Sequence, residues 1–203
     1  MSNNITLNTA QLAKVQLMLS SIGNEANKVL YRAINKTIGN TQTKAVDEVY
    51  KQLSLTKKRI KQDFNQTKAN SKKLSGKLRA TGEPVGLINF SATQTKKGVS
   101  VKVKRVGSKK LLKHAYIAQG KGGKNHVWWR TYSGPRRPWK WKATPTRYGA
   151  LPAIYRGPIE RLTGPRIEDI YSKPVVLKTV QTHADQRMGV NMEQELNYVL
   201  SKL

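Results

Sequence analysis

Residues 24–50 of this chain are NEANKVLYRAINKTIGNTQTKAVDEVY, and their apolar side chains recur in steps of three and four. Such spacing places apolar side chains along one face of an α-helix. The stripe begins earlier, at Leu12, and Gly23-Asn24 is expected to interrupt it because Asn24 can cap the helix that follows. Gly39-Asn40 is expected to loosen this second helix. The broken stripe is too short for a coiled coil and predicts helices that pack against the rest of the domain.

Downstream of this stripe the apolar pattern loses its helical period. Thr56 is predicted to cap a short helix over residues 57–64, and the polar residues 65–73 after it are expected to form a basic linker. Three valines, Val99, Val101 and Val103, then alternate with polar residues. This alternation predicts a strand with one buried face and one cationic face.

Further strand signals surround these valines. The short apolar run 85–90 predicts a buried strand, and residues 94–98 predict a hairpin turn. Residues 114–118 and 126–130 predict a second pair of strands. Residues 131–152 combine four prolines with four tryptophans and tyrosines, which predicts a long surface loop.

Helical spacing returns near Pro174, with Ser172 as the candidate cap, and continues to Leu200. These elements together predict an α+β fold in which N-terminal helices and a C-terminal helix pack on a mainly antiparallel β-sheet that carries a long basic, Trp-rich loop. We predict three regions within one compact domain with a helical extension. They are an N-terminal helical region 1–70, a basic β-rich region 71–171 with the loop 131–152, and the C-terminal helix 172–203.

The composition is strongly cationic, with 38 lysines and arginines against 11 acids and a formal net charge of +27. The chain has no cysteine, which excludes disulfide frameworks, thiolate metal sites and cysteine nucleophiles. No apolar window is long enough to cross a bilayer, and the first residues lack the basic and apolar segments of a signal peptide. A soluble protein made in the cytoplasm is therefore expected, with no membrane partner.

The distribution of charge is more informative than its total, because residues 84–159 contain 17 lysines and arginines and no acid. A solvated surface normally mixes both signs, so this segment is expected to face a polyanion, of which nucleic acid is the commonest. A generally basic protein without a specific anionic partner is the alternative. The residues predicted to bind nucleic acid or an acidic partner are Lys102, Lys104, Arg105, Lys109, Lys110, Lys113, Lys121, Lys124, Arg130, Arg136, Arg137, Lys140 and Lys142.

Aromatic residues are interleaved with these cations. Bases stack on aromatic rings, but the same residue types also anchor protein interfaces. On a strand, Trp128 and Trp129 face opposite ways, so one of them is expected to point to the core. A protein interface is favoured, and nucleic-acid contact and core filling stay open. The residues assigned to the interface are Trp128, Trp129, Tyr132, Trp139 and Trp141.

Three patterns that could carry chemistry are better explained structurally. The Gly-rich run 119–125 lacks the first glycine and the final Ser or Thr of a phosphate loop, and it joins two predicted strands. The three histidines have too few neighbouring ligands for a transition metal. Glu160, Glu168 and Asp169 could hold magnesium in a nuclease, but the last two equally fit the first turn of a helix. We predict no enzymatic activity, no metal and no cofactor.

Seven short motifs, taken in chain order, resemble one known family, the minor tail protein Z family of tailed bacteriophages and related tail-completion proteins. The resemblance covers residues 25–203. Tyr116 replaces the family's usual Phe, Arg166 stands where a small residue is commoner, and the loop 128–141 is longer than in the family. The motifs are Ala33-Ile-Asn-Lys-Thr37, Tyr50 with Leu53 and Lys57 to Ile60, Gly82 to Phe90, Gln94 to Val101, Ala115 to Ala118, His126 to Arg130, and Leu162 to Ile167.

The resemblance implies a virion structural protein that acts in tail completion and head–tail joining at the head-proximal end of the tail, with no catalytic residues. It implies localisation in the virion tail or neck, and in the host cytoplasm during assembly. The implied partners are the tail terminator, the tail tube, the connector and further copies of the chain in a homo-oligomer, and the cationic segment adds double-stranded DNA at the genome end. A non-viral basic nucleic-acid-binding protein and a magnesium-dependent nuclease stay open as alternatives.

Overall fold

The apolar stripe of residues 24–50 forms one uninterrupted helix. The computed structural model describes residues 24–130 and 159–202, and among these the residues up to 83 and from 165 onward form one compact unit, unit 1. Its helices and strands are α1 (Asn24–Gln52), α2 (Lys57–Gln62), β1 (Phe64–Thr67), β2 (Lys77–Ala80), α3 (Ile167–Tyr171) and α4 (Pro174–Leu200). No helix in the described ranges is long and apolar enough to cross a membrane.

The two long helices α1 and α4 pack antiparallel along their apolar faces. Their antiparallel direction follows from two polar contacts: Lys36 Nζ donates to Gln194 Oε1 at 2.8 Å, and Lys173 Nζ donates to Gln52 Oε1 at 2.8 Å. The expected packing of the N-terminal stripe is thereby confirmed from residue 24 onward. The earlier part of the stripe, from Leu12, and the interruption predicted at Gly23 lie outside the described residues. The buried apolar side chains of this helix pair include Val29, Leu30, Ala33, Ile34, Ile38, Met188, Met192 and Val199.

A polar contact lies inside this apolar interface. Asn191 Nδ2 donates to Thr37 Oγ1 at 2.9 Å, and Thr37 Oγ1 donates to the carbonyl of Ala33 at 2.8 Å. Both side chains are buried, so any sliding of one helix along the other would leave an amide without its partner in an apolar environment. This hydrogen bond therefore helps to fix the register of the helix pair.

The predicted helix boundaries are partly corrected. Thr56 caps α2 by accepting from the backbone N–H of Arg59 at 3.3 Å, as predicted, but the helix ends at Gln62. Gly39 does not break α1, since a helix tolerates a glycine within it at a cost of about 1 kcal/mol relative to alanine. Pro174 is the first residue of α4 as predicted, whereas Ser172 does not cap it; Ser172 ends α3, where its hydroxyl donates to the Glu168 carbonyl.

The basic linker predicted at residues 65–73 is wrong in its first part. β1 pairs antiparallel with β2, with Phe64 opposite Ala80 and Thr67 opposite Lys77. The ring of Phe64 packs edge-on against Tyr171 at a centroid distance of 5.2 Å, and burial raises the pKa of the Tyr171 hydroxyl above its usual value. The strand is mostly polar and half exposed, so its sequence carried little apolar signal.

The described residues between 84 and 164 form a second compact unit, unit 2, with two three-stranded antiparallel sheets in the orders β3-β4-β5 and β6-β7-β8. The buried strand predicted at residues 85–90 is wrong, because residues 87–89 form a 3₁₀ turn and Gly86 makes an isolated bridge to Thr163. The strands are β3 (Thr93–Thr95), β4 (Gly98–Val101), β5 (Lys110–Lys113), β6 (Tyr116–Gln119), β7 (Asn125–Arg130) and β8 (Ile159–Arg161).

The α+β class is thus confirmed, with three small antiparallel sheets, one of them in unit 1. The hairpin at residues 94–98 and the second strand pair are confirmed as β3-β4 and β6-β7. β4 ends at Val101, two residues before Val103, because the backbone N–H of Lys102 turns to the carbonyl of Phe90 at 3.1 Å. The division at 70/71 and 171/172 stays a prediction, and the loop 131–152 lies outside the described residues.

Matched valines on α4 test the helix packing. Val180 is fully buried and Val175 is 78% exposed. We expect Val180→Ala to lower the free energy of unfolding by about 2 kcal/mol, through lost burial and the cavity left behind. The control Val175→Ala should change it by about 0.5 kcal/mol or less. Urea denaturation followed by circular dichroism measures both, and equal effects would contradict the packing.

His183 on α4 lies in a polar groove between the two long helices. The groove has a volume of about 190 Å³ and is lined by Asn40, Thr43, Lys44, Asp47, His183 and Arg187. The Nδ1 atom of His183 is buried and makes no hydrogen bond. Burial lowers the pKa of this imidazole below 6.5, and the charges of Lys44 and Arg187 lower it further. The neutral imidazole is therefore the form that stabilises the fold.

This lowered pKa predicts how stability depends on pH. The contribution of neutral His183 is complete above pH 6.5, the ordinary pKa, and is lost as the pH falls through the lowered pKa of the folded state. We expect His183→Gln to lose less stability than the wild type between pH 7.5 and pH 5 in urea denaturation. Gln186→Ala, at an exposed position on the same helix, is the control and should follow the wild type. Parallel curves for all three proteins would refute the assignment.

Candidate anion-binding surface

The two units differ sharply in charge. The sequence range of unit 2, residues 84–164, contains 18 lysines and arginines and one acid, Glu160, which gives a net charge of +17. The remaining residues contain 20 lysines and arginines and ten acids, a net charge of +10. A single carboxylate cannot neutralise the cations of unit 2, so their charge must be screened by salt or by an external anion.

Three exposed lysines meet at one end of the β3-β4-β5 sheet. Lys96 and Lys97 form the two-residue turn between β3 and β4, and Lys113, the last residue of β5, lies opposite Gly98 across the sheet. The backbone N–H of His114 donates to the carbonyl of Lys97 at 3.4 Å, which holds the end of β5 beside this turn. We call Lys96, Lys97 and Lys113 the lysine patch.

The lysine patch depends on a glycine. Gly98 has a φ of +145°, and a Cβ atom built there would lie 2.1 Å from the carbonyl oxygen of Leu112. No side chain fits this space without moving the backbone of β5. The small residue thus permits the close approach of β4 and β5 that places Lys113 beside the hairpin turn.

A second group of cations lies at the opposite end of the same sheet. β4 and β5 are joined there by residues 102–109, and Val101 pairs with Lys110. In this second group Lys104, Lys109 and Lys110 are exposed, whereas Lys102 and Arg105 are half-buried. The structure therefore brings together five of the residues predicted to bind an anion.

Two further predicted residues, Lys121 and Lys124, lie at the tip of the β6-β7 hairpin. The turn is closed by a hydrogen bond from the N–H of Gly120 to the carbonyl of Lys124 at 2.9 Å. Gly122 and Gly123 have φ values of +98° and +74°, which glycine adopts readily. The run 119–125 is therefore a cationic hairpin tip, as predicted, and does not lead from a strand into a helix.

The aromatic residues of β7 are placed on its two faces. Trp128 is half-buried, and its Nε1 donates to the carbonyl of Ala118 at 3.0 Å, while the His126 ring packs edge-on against it at 5.7 Å. Trp129 is 40% exposed, and Arg130 at the end of the strand is exposed. The remaining predicted site residues lie outside the described residues: Tyr132, Arg136, Arg137, Trp139, Lys140, Trp141 and Lys142.

Lys96 and Lys97 are not among the cations that the sequence pattern singles out as candidate binding residues. The sequence identified the hairpin turn at residues 94–98, and a two-residue Lys-Lys turn necessarily points both cations away from the sheet core. The contribution of Lys113 to the same cluster depends on the β4-β5 register, which the sequence did not specify.

The acids considered for a nuclease do not form a metal cluster. Glu160 is exposed on β8 in unit 2, whereas Glu168 and Asp169 lie in the first turn of α3 in unit 1. Acids in a first helical turn interact favourably with the helix dipole, which explains this pair structurally. Within residues 24–130 and 159–202, no group of three His, Asp or Glu side chains could hold a metal ion.

Comparison with known families agrees with the family resemblance seen in the sequence. The family model of the prophage minor tail protein Z matches residues 12–203, nearly the whole chain. No curated protein and no solved structure matches the chain. The family's description is that of a phage tail protein, which implies a structural role in the virion and other tail proteins as partners. This chain belongs to the prophage minor tail protein Z family.

Proposed function

We propose that this protein completes the phage tail and joins it to the head, at the head-proximal end of the tail. Membership of the minor tail protein Z family supports a structural role in the tail, and the resemblance of its motifs to tail-completion proteins supports the more specific one. The observation that carries the proposal is the concentration of positive charge in unit 2, +17 with a single acid. The head-proximal end is the part of a tail that lies nearest the genome, a large polyanion.

The two units suit different neighbours. In unit 1 several acids pair with bases of the same unit, as in Lys57 Nζ to Asp47 Oδ1 at 2.6 Å and Arg59 to Asp63 Oδ1 at 2.6 Å. Such a mixed surface is compatible with protein neighbours, and we assign to unit 1 the contacts with the tail terminator, the tail tube, the connector and other copies of the chain. We assign to unit 2 the contact with the genome end or with acidic ring proteins.

Charge repulsion also links assembly to the partner of unit 2. In a homo-oligomer, neighbouring copies of unit 2 would repel one another unless an anion lay between them, because each carries +17. A polyanion at the centre of a ring would relieve this repulsion. The protein thus acts without catalysis, as a joining component that is stably incorporated only when the anionic partner of unit 2 is present.

Imaging of isolated tails tests the proposed position. We expect a tag fused after Leu203 to give extra density at the head-proximal tip in negative-stain images of tails. Tails made without the protein should be complete in length but fail to join DNA-filled heads, so that infectious particles fall by several orders of magnitude.

The control is the untagged wild-type protein supplied in trans, which should restore joining. A tag found at the distal tip or along the tube would contradict the proposed position. Normal head joining by tails that lack the protein would contradict the proposed role.

A further inference from the structure

We propose that the lysine patch, Lys96, Lys97 and Lys113, binds the phosphate backbone of double-stranded nucleic acid without reading its sequence. This inference rests on the proposed function in one respect: the genome end is the duplex that a head-proximal protein would meet. It goes further by naming the surface, the ligand chemistry and the mode of recognition.

The patch is a rigidly positioned group of cations. Its three lysines come from a two-residue turn and from the adjacent end of β5, fixed to each other by the Gly98–Lys113 pair and by the hydrogen bond from His114 to Lys97. All three side chains are exposed. Neighbouring strands lie about 4.8 Å apart, so the three backbone positions are close enough for one phosphate strand to contact all of them.

The lysines at the two ends of β5 project to opposite faces of the sheet. β5 has four residues, so Lys110 and Lys113 at its two ends are separated by about 10 Å along the strand. The major groove of B-form DNA is about 12 Å wide between its phosphate backbones. This separation is comparable with the groove width, but Lys110 and Lys113 are three residues apart and their side chains therefore project to opposite faces of the strand. The lysine patch thus contacts a single phosphate backbone, without a contact from Lys110 across the groove.

The residue types favour phosphate over an acidic protein. The described residues of unit 2 include nine lysines and three arginines. Lysine is depleted in protein interfaces, whereas it binds phosphates as a hydrated point charge with little geometric demand. The large apolar side chains exposed on this sheet and its connecting loop, within the part of the chain that the structure describes, are Leu111 and Val106, and neither is an aromatic anchor. Contact to phosphate positions a protein but carries no sequence information.

The test is a binding titration with the full-length protein. Two 24-base-pair duplexes of unrelated sequence are titrated by fluorescence anisotropy between 50 and 300 mM salt. The variant K96Q/K97Q/K113Q should lose affinity for both duplexes by on the order of 100-fold at 0.1 M salt. The slope of log K against log salt should fall by about 2.7, which is 0.9 for each phosphate contact removed.

The matched control removes the same charge from unit 1. K58Q/K68Q/K72Q also replaces three exposed lysines and should lower affinity by about threefold or less, since exposed charges that make no phosphate contact are screened by salt. Circular dichroism and urea denaturation confirm that both variants are folded. Equal losses in the two variants would show a diffuse charge effect and overturn the assignment to the lysine patch.

The remaining outcomes separate this inference from the proposed function. Tighter binding of polyglutamate than of duplex would identify an acidic protein as the partner and overturn the nucleic-acid assignment. A tenfold difference between the two duplexes would overturn recognition without sequence. No duplex binding by the wild type at 50 mM salt would overturn the inference while the position of the protein in the tail, which imaging measures independently, stood unaffected.

Discussion

The antiparallel packing of α1 against α4 is the interaction on which unit 1 depends. It joins residues that are distant in sequence, such as Asn191 and Thr37, which are 154 positions apart and share a hydrogen bond. Burial of the two apolar faces supplies the stabilisation, and this buried polar pair restricts the register. The chain between the two helices must therefore leave unit 1 and return to it, and unit 2 occupies that interval. Ten of the eleven acids lie in the sequence range of unit 1. The net charge of the helix pair is therefore close to zero, whereas that of unit 2 is +17.

Periodicity identified the elements whose apolar residues are regularly spaced, and it failed where structure depends on partners distant in sequence. The stripes of α1 and α4 are explicit in the sequence, and so is the cap at Thr56. The strand β1 has little apolar content and forms because β2 pairs with it, with Phe64 buried against Tyr171. The run 85–90 has the composition of a strand but forms a 3₁₀ turn, since its backbone groups bond to residues 86–87 of the turn itself and to the chain after β8. α4 begins at Pro174, as predicted. Ser172, the predicted cap of α4, instead ends α3.

The candidate site likewise combines features that a short stretch of sequence determines with features that depend on residues distant in sequence. The count of acids alone located the cationic segment, because charge is additive along a sequence. The grouping of those charges depends on strand register and on the space around Gly98, neither of which is encoded in a short window. In the sequence Lys113 is one cation among many, and nothing in a short window places it beside Lys96 and Lys97. Alternation predicts that the two tryptophans of β7 face opposite ways. Trp128 is half-buried and donates a hydrogen bond to Ala118, and Trp129 is exposed.

The two ends of unit 2 are fastened to each other. The N–H of Gly164 donates to the carbonyl of Val85 at 2.7 Å, and Gly86 bridges Thr163 beside it. Because these two ends lie side by side, a short connection in place of unit 2 would join β2 to α3 without lengthening the chain path between them. Exchange of unit 2 for a segment of different charge would therefore leave the chain path of unit 1 unchanged.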